Sequence, residues 1–523
     1  MKHQTAAVLS FVLFLTCYTV AAAGAPPVSE ATQECLDCHA VFHPGIVADW
    51  EKSRHAQTTP SEAMKVDGLS RKISSDKIPE EYTSHAVGCA ECHGLNEKSH
   101  KDTFEHNGYQ LHVVVTPLDC ALCHTTEAME YSENLMAHAH HILASNDTYE
   151  MLEKSMTGSP KVGGGSLEFS NPDERTKAET CYYCHGTKIE VTGLETRETD
   201  AGEQTFPVMT GWPNQGVGRI NPDESKGACT PCHTRHRFSM EMARKPYTCK
   251  QCHTGPDVPA YKVYAASKHG NIFASHEKGW DFTTTPWTVG KDFTAPTCAA
   301  CHISLLANTD GEPIAQRSHR MNDRLPWRLF GLIYAHPHPI DPDTFKIRNQ
   351  EGLQLPTSLD GENVSEALID KTIQNQRRDA LQRICLSCHD ASWVNGHWER
   401  LENAIEQTNR ATQTATRIMK SIWNDSLAKG PENGGSPFDE FIETKWSDIW
   451  LFYANTIRFS AAMGGGGDYS VFANGYYQLS SAIKEMHDWH QNRTELRNLA
   501  TMCRRWGLSG NRQPSSAWHD AVQ

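Results

Sequence analysis

The sequence predicts a mainly α-helical protein with little sheet, in which an irregular core over residues 24–390 precedes a C-terminal bundle of three long helices over residues 391–523. Three observations support this fold class. One pentapeptide recurs eight times between residues 35 and 389. Short helical pieces alternate with Pro/Gly-rich loops between the copies, and no long alternating strand pattern interrupts them. After Asp390, apolar residues take the three-four spacing of long amphipathic helices.

Residues 1–23 predict a Sec signal peptide. Lys2 and His3 precede an apolar run over residues 6–23 that ends in small residues, AAAGA, the usual order of charged, apolar and cleavage regions. Cys17 lies within this run and would be lost on cleavage. An uncleaved membrane anchor is the alternative, because about 18 apolar residues can just span a bilayer.

The repeated pentapeptide has the form CxxCH, which is typical of a c-type haem attachment site. Two thiols reach the vinyl groups at one porphyrin edge, and the next histidine turns under the ring to ligate iron. Disulfides and zinc sites, the alternatives, do not require histidine directly after the second cysteine in all eight copies. The sequence therefore predicts a multihaem cytochrome c core with eight covalently bound haem c groups. The attaching cysteines and proximal histidines are Cys35, Cys38 and His39; Cys89, Cys92 and His93; Cys120, Cys123 and His124; Cys181, Cys184 and His185; Cys229, Cys232 and His233; Cys249, Cys252 and His253; Cys298, Cys301 and His302; and Cys385, Cys388 and His389.

The composition agrees with a haem-filled core in an exported protein. The motifs use 16 of the 18 cysteines, leaving only Cys17 and Cys503, so no disulfide framework is needed. The apolar fraction of 38% is modest, as expected if porphyrins supply much of the core. The net charge of -14 argues against nucleic acid and favours basic redox partners. Haem attachment normally occurs outside the cytoplasm, so we expect a periplasmic or equivalent extracytoplasmic location.

Three C-terminal helices are predicted from apolar seams. The first seam includes Trp398, Leu401 and Ile405 and continues to Ile422. The second helix is predicted from about residue 438 to 463, and the third ends near residue 500, with Gly-rich breaks between them. We expect a helical cap over the haem core that also serves self-association; a cap without self-association is the alternative.

Histidines that could supply a second axial ligand exceed the number of haems. The chain has 28 histidines, and low-spin electron-transfer haems usually take a second one. Four candidates follow a serine by one or two residues: His55, His85, His269 and His319. The further candidates are His43, His138, His140, His141, His236, His336, His338 and His397. Counting therefore leaves open whether one iron is five-coordinate, which is what separates an enzyme from an electron carrier.

The region around the fifth and sixth motifs resembles the octahaem hydroxylamine oxidoreductase family. The matching pieces are HTRHRFS at residues 233–239, CHTGPD at 252–257 and SKHG at 267–270, together with the motif order and the three-helix tail. The resemblance covers nearly the whole mature chain. It implies that the fourth haem, held at Cys181–His185, is catalytic with an open distal face. It also implies seven bis-histidine haems and a homotrimer to which the helices contribute.

The resemblance also implies distal-pocket residues. Asp257 matches the family's distal aspartate, whereas many members carry histidine where this chain has Val258. We therefore expect Asp257 to take a larger share of proton transfer than in those members, together with Tyr334 or a nearby histidine. Without the resemblance, Asp257 would be interpreted as a turn residue after Gly255–Pro256.

Members that oxidise hydroxylamine or hydrazine carry a tyrosine from a neighbouring subunit that is covalently linked to the catalytic haem. Tyr469, beside the Gly-rich break, is the candidate by position; Tyr476 and Tyr477 are also available. The alternative is that all three pack in the helical cap. The stretch GPDVPAYKVY at residues 255–264 and the Gly-rich stretch look more like the reductive branch, which lacks the cross-link.

The expected function is therefore reduction of nitrite and/or hydroxylamine, to nitric oxide or ammonium, at a five-coordinate fourth haem fed by seven others. Oxidation of hydroxylamine or hydrazine with a tyrosine-linked haem is the first alternative. A non-catalytic electron carrier in which every iron is saturated is the second. The expected partners are a small inorganic nitrogen substrate and a cytochrome c or a membrane quinol-linked cytochrome.

Overall fold

A computed structural model of the protein describes residues 24–163, 166–464 and 471–506. The predicted signal segment 1–23, with Cys17, and the candidate Tyr469 lie outside these residues. Within them the mainly α-helical prediction is confirmed. The α-helices are Glu30–Phe42, Pro44–Glu51, Arg54–Gln57, Pro60–Met64, Ala90–His93, Pro117–Cys120, Thr125–Ser132, Ala139–Ala144, Asp147–Thr157, Glu174–Glu179, Cys181–His185, Met240–Arg244, Pro246–Lys250, Ala260–Ala266, Lys268–His276, Cys298–His302, Lys371–Leu386, Ala391–Asn424, Phe441–Asp448, Ala454–Ala462 and Gln478–Arg505. No helix in the described ranges is both long and apolar enough to cross a membrane.

The strands form small, separate sheets. Four sheets of the described chain are two-stranded antiparallel pairs, and one has three short strands. The strands are Thr103–His106, Tyr109–His112, Ser159–Gly163, Ser166–Ser170, Glu190–Thr199, Gly202–Thr210, Trp287–Thr288, Leu306–Ala307, Pro313–Ala315, Trp327–Arg328 and His336–Pro337. Little sheet was predicted, and this is confirmed, although the hairpins themselves were not foreseen.

Three long C-terminal helical stretches confirm the prediction from the seams. The first runs over Ala391–Asn424 and begins where the Asp390 side chain accepts a hydrogen bond from the backbone N–H of Trp393. The second comprises Phe441–Asp448, a π-helical segment and Ala454–Ala462. The third comprises a π-helical segment over Phe472–Tyr477, followed by Gln478–Arg505.

Buried apolar side chains are concentrated in the C-terminal half of the chain. The largest cluster joins the long helices, through residues such as Met419, Trp446 and Trp450, to the loops around Ile333 and Leu355. Two smaller clusters lie around Trp287 and Trp398. Among the described residues, none of the buried members of these clusters precedes Leu152. The N-terminal part, which carries the first three motifs, therefore has no apolar cluster of its own.

Candidate functional site

The CxxCH motifs share one local conformation. In five of them the histidine N–H donates to the carbonyl oxygen of the first cysteine, at 2.8 to 3.0 Å; these are the motifs at Cys89, Cys120, Cys229, Cys249 and Cys385. The other three lie within helices Glu30–Phe42, Cys181–His185 and Cys298–His302. One helical turn places residues three and four apart on the same face, so both thiols and the imidazole point to one side. None of the sixteen motif cysteines, all of which the structure describes, forms a disulfide, so each is available for a thioether bond.

Five proximal histidines face a second imidazole at a common spacing. The distances between ring centroids are 6.2 Å for His39 and His106, 6.0 Å for His93 and His112, 6.3 Å for His124 and His55, 6.4 Å for His233 and His319, and 6.1 Å for His389 and His269. Two imidazoles that ligate one iron have ring centroids about 6 Å apart, because that distance contains two metal–nitrogen bonds of about 2 Å each and half of each ring. These residues therefore fit a six-coordinate haem iron between each pair of imidazoles. His55, His269 and His319 were candidates from the sequence.

Among the other predicted ligands, His138 has both ring nitrogens near other polar groups, and His141 has one. The Nε2 atom of His138 lies 2.8 Å from the carbonyl oxygen of Ser132, and its Nδ1 atom lies 3.5 Å from the Asp343 carboxylate. The Nδ1 atom of His141 lies 2.6 Å from the same carboxylate. Asp343 thus holds both imidazoles, and ligation by His138 would require these contacts to change.

The remaining candidates are distributed over several motifs. His236 lies close to His93, and burial lowers the pKa of His236 to about 4. His338 is buried near His302, and each has an Nδ1 atom without a hydrogen-bond partner in the structure. A neutral imidazole with a free nitrogen is the form that ligates iron. The others are His85 beside Ser84, His140 beside Gly186, His336 beside Pro337, and His397 stacked on Trp393. Their axial roles stay predictions.

The fourth motif differs from the five paired ones. The Nδ1 atom of His185 lies 3.2 Å from the carbonyl oxygen of Ala139, which orients the ring and leaves Nε2 for iron. Burial lowers the pKa of His185, the Asp257 carboxylate opposes this shift, and the Arg328 guanidinium adds to it. In the described part of the chain, no ring contact pairs His185 with another histidine. The groups that interact electrostatically with this proximal histidine are therefore one carboxylate, one guanidinium and the imidazoles of His140 and His253.

Asp257 and Arg328 reach this site from different elements. The carbonyl oxygen of Asp257 accepts a hydrogen bond of 2.9 Å from the Asn455 side chain, which ties its loop to the second C-terminal helical stretch. The side chain of Asp257 is exposed and also lies near Cys181 and Cys184. Arg328 pairs with His336 across a two-residue antiparallel ladder. Asp257 and Arg328, an arginine not predicted from the sequence, therefore both influence the charge of His185.

Tyr334 lies in the helical core. It is 2% exposed, and its hydroxyl donates a hydrogen bond of 2.9 Å to the carbonyl oxygen of Leu359. Burial raises the pKa of Tyr334 to about 12. Among the described residues, no hydrogen bond or ring contact joins Tyr334 to Asp257 or His185, so the structure does not bring these three predicted site residues together.

Contacts between thiols show which motifs are neighbours. Four pairs of thiols from different motifs lie near enough to shift each other's pKa: Cys35 and Cys89, Cys120 and Cys229, Cys184 and Cys252, and Cys249 and Cys298. Charge interactions also link the second motif to the third, the fifth to the sixth and the seventh to the eighth. The motifs therefore form a continuous series in the order first, second, third, fifth, sixth, seventh and eighth. The fourth motif lies beside the sixth.

Two families match parts of the chain. Residues 216–310 match the family described as "Seven times multi-haem cytochrome CxxCH", and residues 119–205 match "Cytochrome c554 and c-prime". A solved structure titled "Hypothetical multiheme protein" is 39% identical, covers 91% of this chain and 98% of its own, and superposes with a TM-score of 0.84. The chain belongs to the multihaem cytochromes c. It therefore carries covalently bound haem c, and cytochromes of this kind are typically extracytoplasmic.

Two further relatives of this cytochrome come from Kuenenia stuttgartiensis. A protein named "Probable nitrite reductase-hydroxylamine oxidoreductase fusion protein" is 23% identical over 432 residues, which are 79% of this chain and 41% of that protein. A solved structure of a reducing HAO-like protein complex is 18% identical, covers 90% of this chain and 87% of its own, and has a TM-score of 0.61. This second likeness shows a shared fold, and the chain spans less than half the length of the fusion protein.

His106 was not among the ligands predicted for this cytochrome, although the sequence carries a signal for its position. His106 directly precedes Asn107–Gly108, both of which have positive φ values, 53° and 86°. Asn-Gly is a strong signal for a two-residue hairpin turn. This turn signal could have predicted that His106 lies in a hairpin. No comparable sequence pattern marks Arg328.

Proposed function

We propose that this cytochrome is an octahaem oxidoreductase that reduces nitrite and/or hydroxylamine, to nitric oxide or ammonium, at the haem of the fourth motif. The observation that carries the proposal is the setting of His185, a proximal histidine that interacts electrostatically with Asp257 and Arg328 and has no ring contact with another histidine of the described chain. The relative named for nitrite reductase and hydroxylamine oxidoreductase supports this class of chemistry.

The haem, when bound, would supply an open coordination position and electrons for cleaving N–O bonds. His185 would hold the iron through Nε2 while its Nδ1–H donates to Ala139. The Arg328 guanidinium would attract and orient an anionic substrate such as nitrite. The exposed Asp257 carboxylate would pass protons from solvent to the departing oxygen.

Electrons would reach the fourth haem through the sixth. Cys184 lies near Cys252, so haems attached at the fourth and sixth motifs would have neighbouring attachment edges. Cys249 likewise lies near Cys298 of the seventh motif. A linked series of haems suits a reaction such as nitrite reduction to ammonium, because several electrons must arrive while one substrate stays bound.

The test is an Asp257→Asn variant of the holoprotein, with exposed Asp310→Asn as the matched control. We expect Asp257→Asn to keep full haem content and a high-spin haem in the reduced spectrum, but to lose at least about tenfold of the nitrite or hydroxylamine turnover. Unchanged turnover would refute the role of Asp257. A spectrum with no high-spin haem would instead favour the non-catalytic electron carrier.

The direction of the reaction has its own test. An oxidising enzyme with a cross-link from Tyr469 would show a tyrosine adduct on the haem peptide that contains Cys181–His185. We expect mass spectrometry to find none, and an adduct would contradict the reductive proposal. We further propose that residues 1–23 direct export to the periplasm, that residues 391–523 support a homotrimer, and that a cytochrome c or quinol-linked cytochrome supplies the electrons.

A further inference from the structure

Two imidazoles approach the proximal histidine of the first motif. His43 stacks on His39 with 4.9 Å between ring centroids, and their Nδ1 atoms are 2.9 Å apart. His106 lies on another element, with its ring centroid 6.2 Å from that of His39. Two nitrogens that ligate one iron from opposite sides must be about 4 Å apart. The spacing of His43 therefore leaves no room for a metal, whereas that of His106 does.

His106 is presented by a tightly constrained hairpin. It is the last residue of strand Thr103–His106 and pairs with Tyr109 across the Asn107–Gly108 turn. Positive φ values at both turn residues match the type I′ geometry that fixes strand register in two-residue hairpins. The Nδ1 atom of His106 is buried and has no hydrogen-bond partner among the described residues. No hydrogen bond at that nitrogen competes for the ring's orientation.

Two phenylalanines surround the imidazole of His106. The ring centroids of Phe104 and Phe206 lie 5.9 Å and 6.4 Å from that of His106, and 6.0 Å from each other. Phe206 belongs to the long hairpin formed by Glu190–Thr199 and Gly202–Thr210, and the Arg197 guanidinium lies over its ring at 4.6 Å. The two hairpins thus pack against each other at His106.

We infer that His106 is the distal axial ligand of the haem at Cys35–His39, and that Phe104 and Phe206 are positioning residues that hold its ring. His43 is assigned a different role, as the hydrogen-bond partner of the proximal His39. Such partners fix the orientation of a ligating imidazole and change its basicity. The inference rests on haem c binding at the first motif and is independent of the reaction proposed for the fourth.

The test compares His106→Ala with His43→Ala in the full-length holoprotein. With the haem content unchanged, His106→Ala should add one high-spin haem to the spectrum and bind one more carbon monoxide per reduced chain than the unaltered protein. His43→Ala should add neither, but should shift the reduction potential of one low-spin haem. A new high-spin haem in His43→Ala, or none in His106→Ala, would overturn the assignment.

Two further variants separate ligation from folding. His106→Met retains a ligand, and we expect one low-spin haem with the higher potential typical of His/Met ligation. Phe206→Ala should produce a partial high-spin signal, and Leu194→Ala, on the same hairpin but 63% exposed, should produce none. If His106→Ala fails to fold, an unchanged set of potentials in His106→Met would refute the inference. Equal spectra for Phe206→Ala and Leu194→Ala would refute the positioning role.

Discussion

His100 is a buried cation held by carboxylates. Its Nδ1 atom lies 3.2 Å from the Asp102 carboxylate and its Nε2 atom 3.3 Å from that of Asp119, with Asp223 at 4.0 Å. The ring of His112 stacks on the other side, with 3.6 Å between centroids. Burial opposes the charged form, but the hydrogen bonds with Asp102 and Asp119 prevail and raise the pKa of His100 to about 9. The imidazolium therefore stabilises a part of the chain that lacks an apolar cluster.

The stabilisation by His100 should depend on pH. Because its pKa is higher in the folded protein than the usual 6.5, the contribution is fully present below about pH 6.5 and is lost as pH rises through about 9. It amounts to at most about 3 kcal/mol. We expect a His100→Gln variant to unfold more easily than the unaltered holoprotein near pH 6, and the difference to shrink near pH 10. Denaturant titrations at both pH values measure this, and a constant difference would contradict the prediction.

At the scale of elements, the second C-terminal helical stretch supports the loop of Asp257. Asn455 is 1% exposed, and its side-chain N–H group donates to the carbonyl oxygens of Asp257 and Leu451. An Asn455→Ala variant leaves the Asp257 carbonyl without this donor, at a cost of about 1–3 kcal/mol. We expect lower turnover and an altered high-spin haem spectrum, with full haem content. Asn433→Ala, at an exposed surface contact with Lys429, serves as the control; identical spectra for the two variants would argue against this support.

The helices and the hairpins differ in how well the sequence predicts them. The helix Ala391–Asn424 buries one continuous seam, so its apolar residues recur at helical spacing. The strands Glu190–Thr199 and Ser159–Gly163 are mostly exposed on both faces, so no apolar alternation marks them. The CxxCH motifs were predictable because the attachment chemistry is local, whereas the Asp257–Arg328 neighbourhood depends on distant segments.

At the scale of the whole molecule, the N-terminal and C-terminal parts of the chain differ in what stabilises them: haem attachment in the first and apolar packing in the second. Residues 24–151 contribute no buried member to the apolar clusters of the described chain, while the C-terminal helices dominate the largest one. We expect a chain produced without haem attachment to be cleaved first within residues 24–151, while fragments spanning residues 391–506 persist. Limited proteolysis with mass spectrometry would show the order of cleavage, with the holoprotein as the resistant control. Simultaneous loss of both parts would contradict this division.

The thiol contacts between motifs also constrain maturation. In the folded chain, the thiol of Cys35 lies near that of Cys89, and the thiol of Cys184 lies near that of Cys252. An oxidising compartment favours disulfides between neighbouring thiols. A chain that folded there before receiving its porphyrins would therefore risk cross-linking one attachment site to the next. Reduced thiols, or haem attachment before folding, would avoid this cross-link.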